Sequence, residues 1–439
     1  MNVAPTPYPA YKESELAWLD AVPRDWEVKR AKYVFRPIDK RSVDGAEDLL
    51  TVSSERGVVP RSGANVTMFE AESYAGHKLC WPGDLVINSL WAWAGGLGFA
   101  DRHGIVSTAY GVYRPRREGD VKYLNLALRS GVYRWELTVR SRGIWTSRLQ
   151  LTDPAFFDMP IVLPPAKDQA AIVRYLDHID SRIQRFIAAK ERLIELLEEE
   201  KRAIIHRAVT RGVDPDVPFK SSGVGWLGKI PRDWTVRRLR FVATIKTGGR
   251  DTDDRVDDGP FPFYVRSQKV ERIDSYSFNG EAVLTAGDGA GVGRVFHHHP
   301  GGPGEAHQRV YKFDRFRGIS GRFLFEYMRA NLAREVMQLS AKATVDSLRR
   351  PMLASFPVAI PPPAEQEAIT RAIDLRCKGI EQAVDRTHLE LDLVHEYRSR
   401  LISDVVTGKL DVRSAAQHLP ADPEIDVPEL DEQLEEAVA

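Results

Sequence analysis

Arginines interleaved with tryptophans mark the place where this sequence could do chemistry. Arg134, Arg140, Arg142 and Arg148 alternate with Trp135 and Trp145. Guanidinium groups grip phosphates and read base edges, while indoles offer flat apolar faces, so the pattern points to nucleic-acid contact. A second stretch carries Lys342, Thr344, Asp346, Ser347, Arg349 and Arg350. Further candidates for DNA contact are Arg56, Arg61 and Asn88, and then Lys246, Arg250, Arg266, Gln268 and Lys269. Any one of these arginines also reads as a solvated surface charge. As clusters in two loop-rich segments they favour DNA.

Three other features could suggest catalysis or metal. Gly287–Val295 contains a G-x-G-x-G string, but no βαβ unit frames it, and a tight turn between strands is the simpler reading. His297, His298, His299 and His307 lack the spacing of a metal site, because consecutive strand residues point to opposite faces. Asp153–Phe157 (DPAFF) lacks the second proline of the D-P-P-[FY] loop of amino-methyltransferases, and reads as strand entry. No catalytic residue and no metal ligand is therefore expected.

Composition narrows the class. The 439 residues are 43% apolar, enough for two to four domains with real cores. No apolar run reaches the length of a membrane span, and the first residues do not resemble a secretory signal. Cys80 and Cys377 lie far apart and in no paired spacing, which fits a reducing cytoplasm. The net charge of zero hides an asymmetry. Eight acids and no base follow Arg413, so residues 1–413 carry 62 basic groups against 54 acidic ones (62 less those eight). The body is mildly basic, and the tail is expected to be a disordered, solubilising end.

The elements that must position these residues come in duplicate. Trp18–Trp26 (WLDAVPRDW) returns as Trp226–Trp234 (WLGKIPRDW), 208 residues later. Pro164–Ile172 (PPAKDQAAI) returns as Pro361–Ile369 (PPPAEQEAI), 197 residues later, and that register holds through Val209–Asp214 and Val406–Asp411. Copy two thus lacks 11 residues, all between the tryptophan block and the counterpart of Gly83. Loops that differ between superposable copies are where two copies should read different things. Each copy is a mixed segment followed by a long helix. Asp84–Leu90 and Tyr110–Pro115 read as strands, and Leu124–Val139 as helical.

The helices carry the clearest periodicity. Ile172, Leu176, Ile179, Ile183, Phe186, Lys190, Leu193, Leu197, Glu200 and Ile204 follow a strict 3,4 spacing. The second helix offers Ile369, Ile373, Ile380, Ala383, Val394, Tyr397 and Leu401, interrupted by Arg376, Thr387 and Glu390. Paired prolines fix each start, and Gly212 and Gly408 sit near the stops. Two such seams at matching places favour pairing with each other.

These blocks resemble the specificity subunit of type I restriction–modification enzymes. The resemblance covers roughly residues 11–412. It rests on the W-L-x-x-[IV]-P-x-x-W opening, the P-P-x-x-[DE]-Q-x-x-I helix entry, and the similar stretches Ser53–Arg61 and Pro82–Pro115. It implies α/β (α+β) target-recognition domains in tandem duplication, separated by two long antiparallel coiled-coil helices in a pseudo-twofold arrangement. The segments would be residues 1–160, a spacer helix at 161–214, a second domain at 215–359, a second spacer helix at 360–412, and the tail at 413–439. The resemblance further implies a non-catalytic subunit that reads a bipartite site on double-stranded DNA. Two modification subunits, which methylate adenine N6 with S-adenosylmethionine, would bind the helices. Restriction subunits would supply ATP- and Mg2+-dependent translocation and cleavage, so no cofactor belongs to this chain. Gln169, Ile172, Leu176, Ile179, Ile183, Gln366, Ile369, Ile373 and Ile380 are the expected helix and subunit interface. The alternatives are a self-contained methyltransferase or nuclease with a duplicated target domain, for which no motif is found, and a coiled-coil scaffold that binds only protein.

Overall fold

A computed structural model describes residues 4–63, 73–117, 121–143, 149–298, 302–340 and 347–420. Two helices dominate, Ala166–Arg211 and Pro363–Val406, of 46 and 44 residues. The first begins directly after Pro165 and the second at Pro363, the last of three prolines, and each ends beside a glycine in the left-handed region, Gly212 at φ +78° and Gly408 at φ +79°. Only glycine takes that conformation without a Cβ penalty, which is why the helices stop there.

The chain divides into two compact units, one of residues up to Ala189 and from Glu390, the other of Lys190–Leu389. In unit one, a hairpin of Tyr11–Leu16 and Leu19–Pro23 leads to the ribbon of Glu27–Arg30 with Pro160–Leu163. A four-stranded antiparallel sheet follows, ordered Phe35–Pro37, Tyr110–Pro115, Leu85–Asn88, Leu97–Phe99. The expected helix over Leu124–Val139 is two helices, Val121–Arg129 and Gly131–Arg140, broken at Ser130–Gly131. Asp153–Phe157 forms a short helix leading into the strand at Pro160. Trp26, wholly buried, packs in one core with Ile172 and Leu176 from the first long helix and Leu401, Val405 and Val406 from the second.

Unit two repeats the plan. Phe219–Ser221 pairs with Lys229–Pro231, and Thr235–Arg238 pairs with Pro357–Ile360. The sheet runs Thr244–Thr247, Val310–Asp314, Ala282–Ala286, Val295–His298. Trp234 is buried with Ile205 and Val209 of the first helix and Ile369, Ile373 and Cys377 of the second. The copies diverge where their lengths do. Unit one places the hairpin Leu50–Ser53 and Gly57–Pro60 there. Unit two joins that stretch to the later strand Pro303–Ala306 in a mixed sheet ordered Glu271–Ile273, Phe261–Tyr264, Pro303–Ala306, Phe278–Asn279.

Within each unit the two long helices pair in opposite directions. In unit one the start of the first meets the end of the second, with Arg398 bonded to Asp180. In unit two the end of the first meets the start of the second, with Lys201 Nζ 2.9 Å from Glu381 Oε1. The buried stripe corrects the sequence-derived seam in phase. On the first helix it passes through Ile183 and Ile187 and then Ile205, not through Phe186 and Ile204; Ile187 is 7% exposed and Phe186 42%. On the second it uses Cys377, Val384 and Leu391 instead of Arg376, Ala383 and Glu390, and Tyr397 faces solvent. One step of 4,4 on each helix (Ile179–Ile183–Ile187 and Ile369–Ile373–Cys377) causes the shift. A strict 3,4 alternation averages 3.5 residues per turn, whereas a straight helix has 3.6, so an extra residue restores the stripe to the facing side. The interruptions at Arg376 and Glu390 vanish with that correction. Thr387 is buried on the seam as expected, its hydroxyl donating to the Ala383 carbonyl at 2.8 Å.

Candidate nucleic-acid interface

In unit one the functional side chains cluster around the turn that leaves the central strand Leu85–Asn88. Asn88 Oδ1 accepts the Leu90 amide at 3.2 Å, and its Nδ2 donates to Tyr110 Oη at 3.2 Å. Leu90, Trp91 and Trp93 follow on a tight turn. Arg142 and Gln150 pair as a short antiparallel arm, tied to this turn by the Leu151 amide donating to the Ser89 carbonyl at 2.9 Å. Arg142 is exposed. Arg140 differs from its neighbour. Its Nε donates to the buried Glu136 at 2.6 Å, and Glu136 also accepts Trp18 Nε1 at 2.6 Å. Its Nη1 lies 3.5 Å from Asp158. That guanidinium is committed to holding the helix Gly131–Arg140 against the Trp18 block.

Arg56 and Arg61 sit apart, at the turn and the end of the hairpin Leu50–Ser53 and Gly57–Pro60. Trp145 and Arg148 lie outside the described residues, as do Lys342, Thr344 and Asp346 in copy two.

In unit two the equivalent turn, Gly287–Arg294, joins the strands Ala282–Ala286 and Val295–His298, so its glycines serve a strand-to-strand turn. Asp288 is the hub: Arg309 Nη1 donates to it at 2.5 Å, and Arg266 Nη1 stands 3.5 Å away. Burial pushes the Asp288 carboxyl up, but the two guanidiniums win and hold it below its ordinary value. Ser347 pairs with Asp288 through the backbone, and the Leu348 amide donates to the Gly287 carbonyl at 2.7 Å. Arg250 joins the group through its backbone pairing with His307, and Gln308 Nε2 donates to Asp251 at 2.6 Å. Burial lowers the His307 pKa and favours the neutral ring. Arg250, Arg266, Gln268 and Lys269 are exposed, as are Lys246 on its edge strand and Arg349 and Arg350 at the start of the helix Arg350–Ser355. The histidines diverge: His297 Nε2 meets Glu281 at 2.9 Å, while His298 bonds Tyr264 and the Gly302 carbonyl. His299 is outside the described residues. Among the described residues, no group of three or more His, Cys, Asp or Glu could hold a metal ion, and no helix is long and apolar enough to cross a membrane.

Comparison with known proteins bears on both the second unit and the fold. The family described as type I restriction modification DNA specificity domain matches residues 231–382. The chain is similar to the type I restriction enzyme EcoDI specificity subunit of Escherichia coli, at 26% identity over 183 residues, covering 42% of this chain and 40% of that one. It is also similar to the type I restriction enzyme MjaVIII specificity subunit of Methanocaldococcus jannaschii, at 23% identity over 287 residues, covering 59% and 64%. Residues 231–382 thus match a type I restriction modification DNA specificity domain, and the chain is similar to type I specificity subunits. The aligned regions span between 40% and 64% of these curated relatives' lengths. A solved structure described as the structural basis underlying complex assembly and conformational transition of the type I R-M system shares the fold. It aligns at a TM-score of 0.65 and 17% identity, over 89% of this chain and 99% of the other.

The motif glutamines do local work. Gln169 Nε2 donates to the Pro164 carbonyl at 2.8 Å and Gln366 Nε2 to the Pro361 carbonyl at 2.9 Å. They brace the helix entries. Ile172, Leu176, Ile183, Ile369, Ile373 and Ile380 are buried, and Ile179 half-buried, on the paired-helix seam of their own units. Sequence reasoning missed Arg309, Gln308 and Asp288 as one cluster. They are 21 residues apart in sequence at the widest, and only the pairing of their strands brings them together. It also passed over Leu90 and Trp91, although two tryptophans flanking one alanine beside a double glycine carry a signal of an aromatic turn.

Proposed function

We propose that this chain is the non-catalytic, DNA-reading scaffold of a type I restriction–modification complex. Each unit reads one half of a bipartite site on double-stranded DNA, and the paired helices set the gap between the halves. The observation that carries this reading is the contrast between what is repeated and what is not. The Trp26 and Trp234 blocks, the helix entries and the central sheets recur in both copies. The basic clusters at equivalent turns are built from different residues on differently folded flanking strands. A scaffold repeated with changed loops is what reading two unlike half-sites requires.

Two modification subunits would dock on this scaffold and supply adenine N6 methylation from S-adenosylmethionine, and restriction subunits would supply ATP- and Mg2+-dependent cleavage. None of those cofactors is assigned to this chain. The test is methylome sequencing of a host that expresses the chain with its modification partner. The expected result is one methylated motif of two fixed halves flanking an unspecified spacer. Methylation without the chain, or a continuous motif with it, would overturn the reading. Incubating the purified chain alone with labelled S-adenosylmethionine and DNA should give no incorporation.

A further inference from the structure

Unit one holds a rigid apolar knob in solvent. Leu90 is 46% exposed and Trp91 57% exposed, and the Trp91 ring stacks on Trp93 with centroids 5.7 Å apart and planes 20° apart. The turn is closed from several sides. Trp93 Nε1 donates to the Leu90 carbonyl at 3.0 Å, and the Gly96 amide donates to the Trp91 carbonyl at 2.9 Å. A Cβ on Gly96 would stand 2.8 Å from that same carbonyl oxygen, so glycine is required for the turn to close. Large apolar side chains held this firmly in water contribute nothing to the core, and such patches mark contact sites.

The rim of the knob is cationic. Arg134 packs along Gly95, and exposed Arg142 stands on the arm tied to Ser89. The nearby acids are occupied: Glu136 by Trp18 and Arg140, Asp153 by Tyr113. An apolar tip inside a basic rim complements a polyanion with an apolar interior, which is duplex DNA. The repeat argues for DNA over a protein partner. A subunit bound twice would meet the same surface in both copies, yet at the 197-residue offset Leu90, Trp91 and Trp93 become Gly287, Asp288 and Ala290.

We propose that Leu90 and Trp91 form a wedge that opens a base step in the half-site read by unit one, and that unit two, with its charged Asp288–Arg309 hub, leaves its half-site stacked. Apolar side chains inserted between base steps unstack and kink the duplex, and stacking on an aromatic ring offsets part of that cost. The assignment rests on the DNA-reading role proposed above and adds to it a specific deformation of one half-site.

The experiment uses the chain reconstituted with its modification partner and duplexes carrying the methylated motif, with 2-aminopurine replacing in turn each adenine in and beside the motif except the methylated adenines and their immediate neighbours, which base flipping by the modification subunits would unstack on its own. Binding of the wild-type complex should raise fluorescence at one step of the first half-site and at none of the second. Trp91→Ala and Leu90→Ser should abolish that rise and weaken cognate binding by roughly fivefold to a hundredfold, with the melting temperature and partner co-purification unchanged. Trp91→Phe should keep part of the rise. Tight, sequence-selective binding with no rise at any position would overturn the wedge while leaving the DNA-reading role intact. Loss of the modification partner in the Trp91→Ala complex would show a protein interface instead. Failure of the wild-type complex to prefer its motif would overturn both readings.

Discussion

Trp26 Nε1 donates to Asp168 Oδ2 at 3.1 Å, joining the tryptophan block to the first turn of the first long helix across 142 residues. The same clamp recurs in unit two, where Trp234 Nε1 donates to Glu365 Oε2 at 2.9 Å. Both tryptophans are fully buried, and the carboxylate sits among the amides of a helix N-terminus, where negative charge is favourable. The longer Glu365 side chain reaches the same bond as Asp168. This pair explains why the W-L-x-x-[IV]-P-x-x-W and P-P-x-x-[DE]-Q blocks recur together: each is half of one contact.

Asp168→Ala leaves a buried indole N–H without its acceptor, and should destabilise the chain by about 1–3 kcal/mol. Asp168→Asn keeps an acceptor and should cost less than half of that. Urea unfolding of the two variants, followed by tryptophan fluorescence, makes the comparison. Equal losses would show that the charge at the helix start matters more than the bond.

The helix seam makes an opposed pair of expectations one residue apart. Ile187→Ala removes a buried side chain and should cost about 2–4 kcal/mol. Phe186→Ala, at a solvent-facing position, should change stability by less than about 1 kcal/mol. Equilibrium unfolding of both variants decides the phase. The reverse order would restore the strict 3,4 seam.

How far the sequence could be read follows from these cases. The duplicated blocks were legible because two copies at constant offset expose every shared position, so Trp26, Trp234, the prolines and the helix stops needed no structure. The seam was legible in kind but not in phase. A 3.5-residue template and a 3.6-residue helix part by about 20° per heptad, so a helix of this length must take an extra residue at some turn, and here that step puts Ile187 on the seam in place of Phe186. Arg140 and Arg142 were not separable, since composition cannot tell a guanidinium bound to Glu136 from one in solvent. The Asp288–Arg309–Arg266 hub depends on strand pairing and loop closure over tens of residues, which no local pattern encodes.

The two kinds of arginine should part in solution. Arg140→Ala loses its bonds to Glu136 and Asp158, and should lower the melting temperature while leaving the salt dependence of DNA binding unchanged. Arg142→Ala, Arg349→Ala and Arg350→Ala should leave stability within about 0.5 kcal/mol. Where the lost group touches phosphate, the salt slope falls by roughly one unit; where it reads a base, selectivity at one motif position relaxes. Fluorescence anisotropy of the reconstituted complex over a salt series provides the measurement. Wild-type slope and affinity in all three exposed variants would make them ordinary surface charges.

Burial pushes the Cys80 thiol up to about 12 and raises that of Cys377 as well. The thiolate is the reactive species, so at pH 8 both groups stay protonated in the folded chain. Ellman's reagent should therefore modify neither at an appreciable rate until denaturant is added, when two thiols per chain should react. Fast modification of one thiol in the native state would place that cysteine in a more open setting.

The proposed ruler role of the helices is tested by lengthening both together. The helix end at Gly212 is a poor site for this, because its backbone lies against Trp234 and Glu365. Four residues inserted between Ala189 and Lys190, with four more between Leu389 and Glu390, leave both tryptophan clamps untouched. Four residues add about 6 Å of helix and a net right-handed rotation of about 40°. One base pair of B-DNA turns by about 35° in the same sense and rises about 3.4 Å. The rotations match for one added pair, so the methylated motif should keep both halves and gain about one base pair in its spacer, with some loss of efficiency from the mismatch in rise. Sequencing the methylated sites of a host carrying the variant gives the answer directly. An unchanged spacer with full methylation would show that something other than helix length fixes the distance between the half-sites.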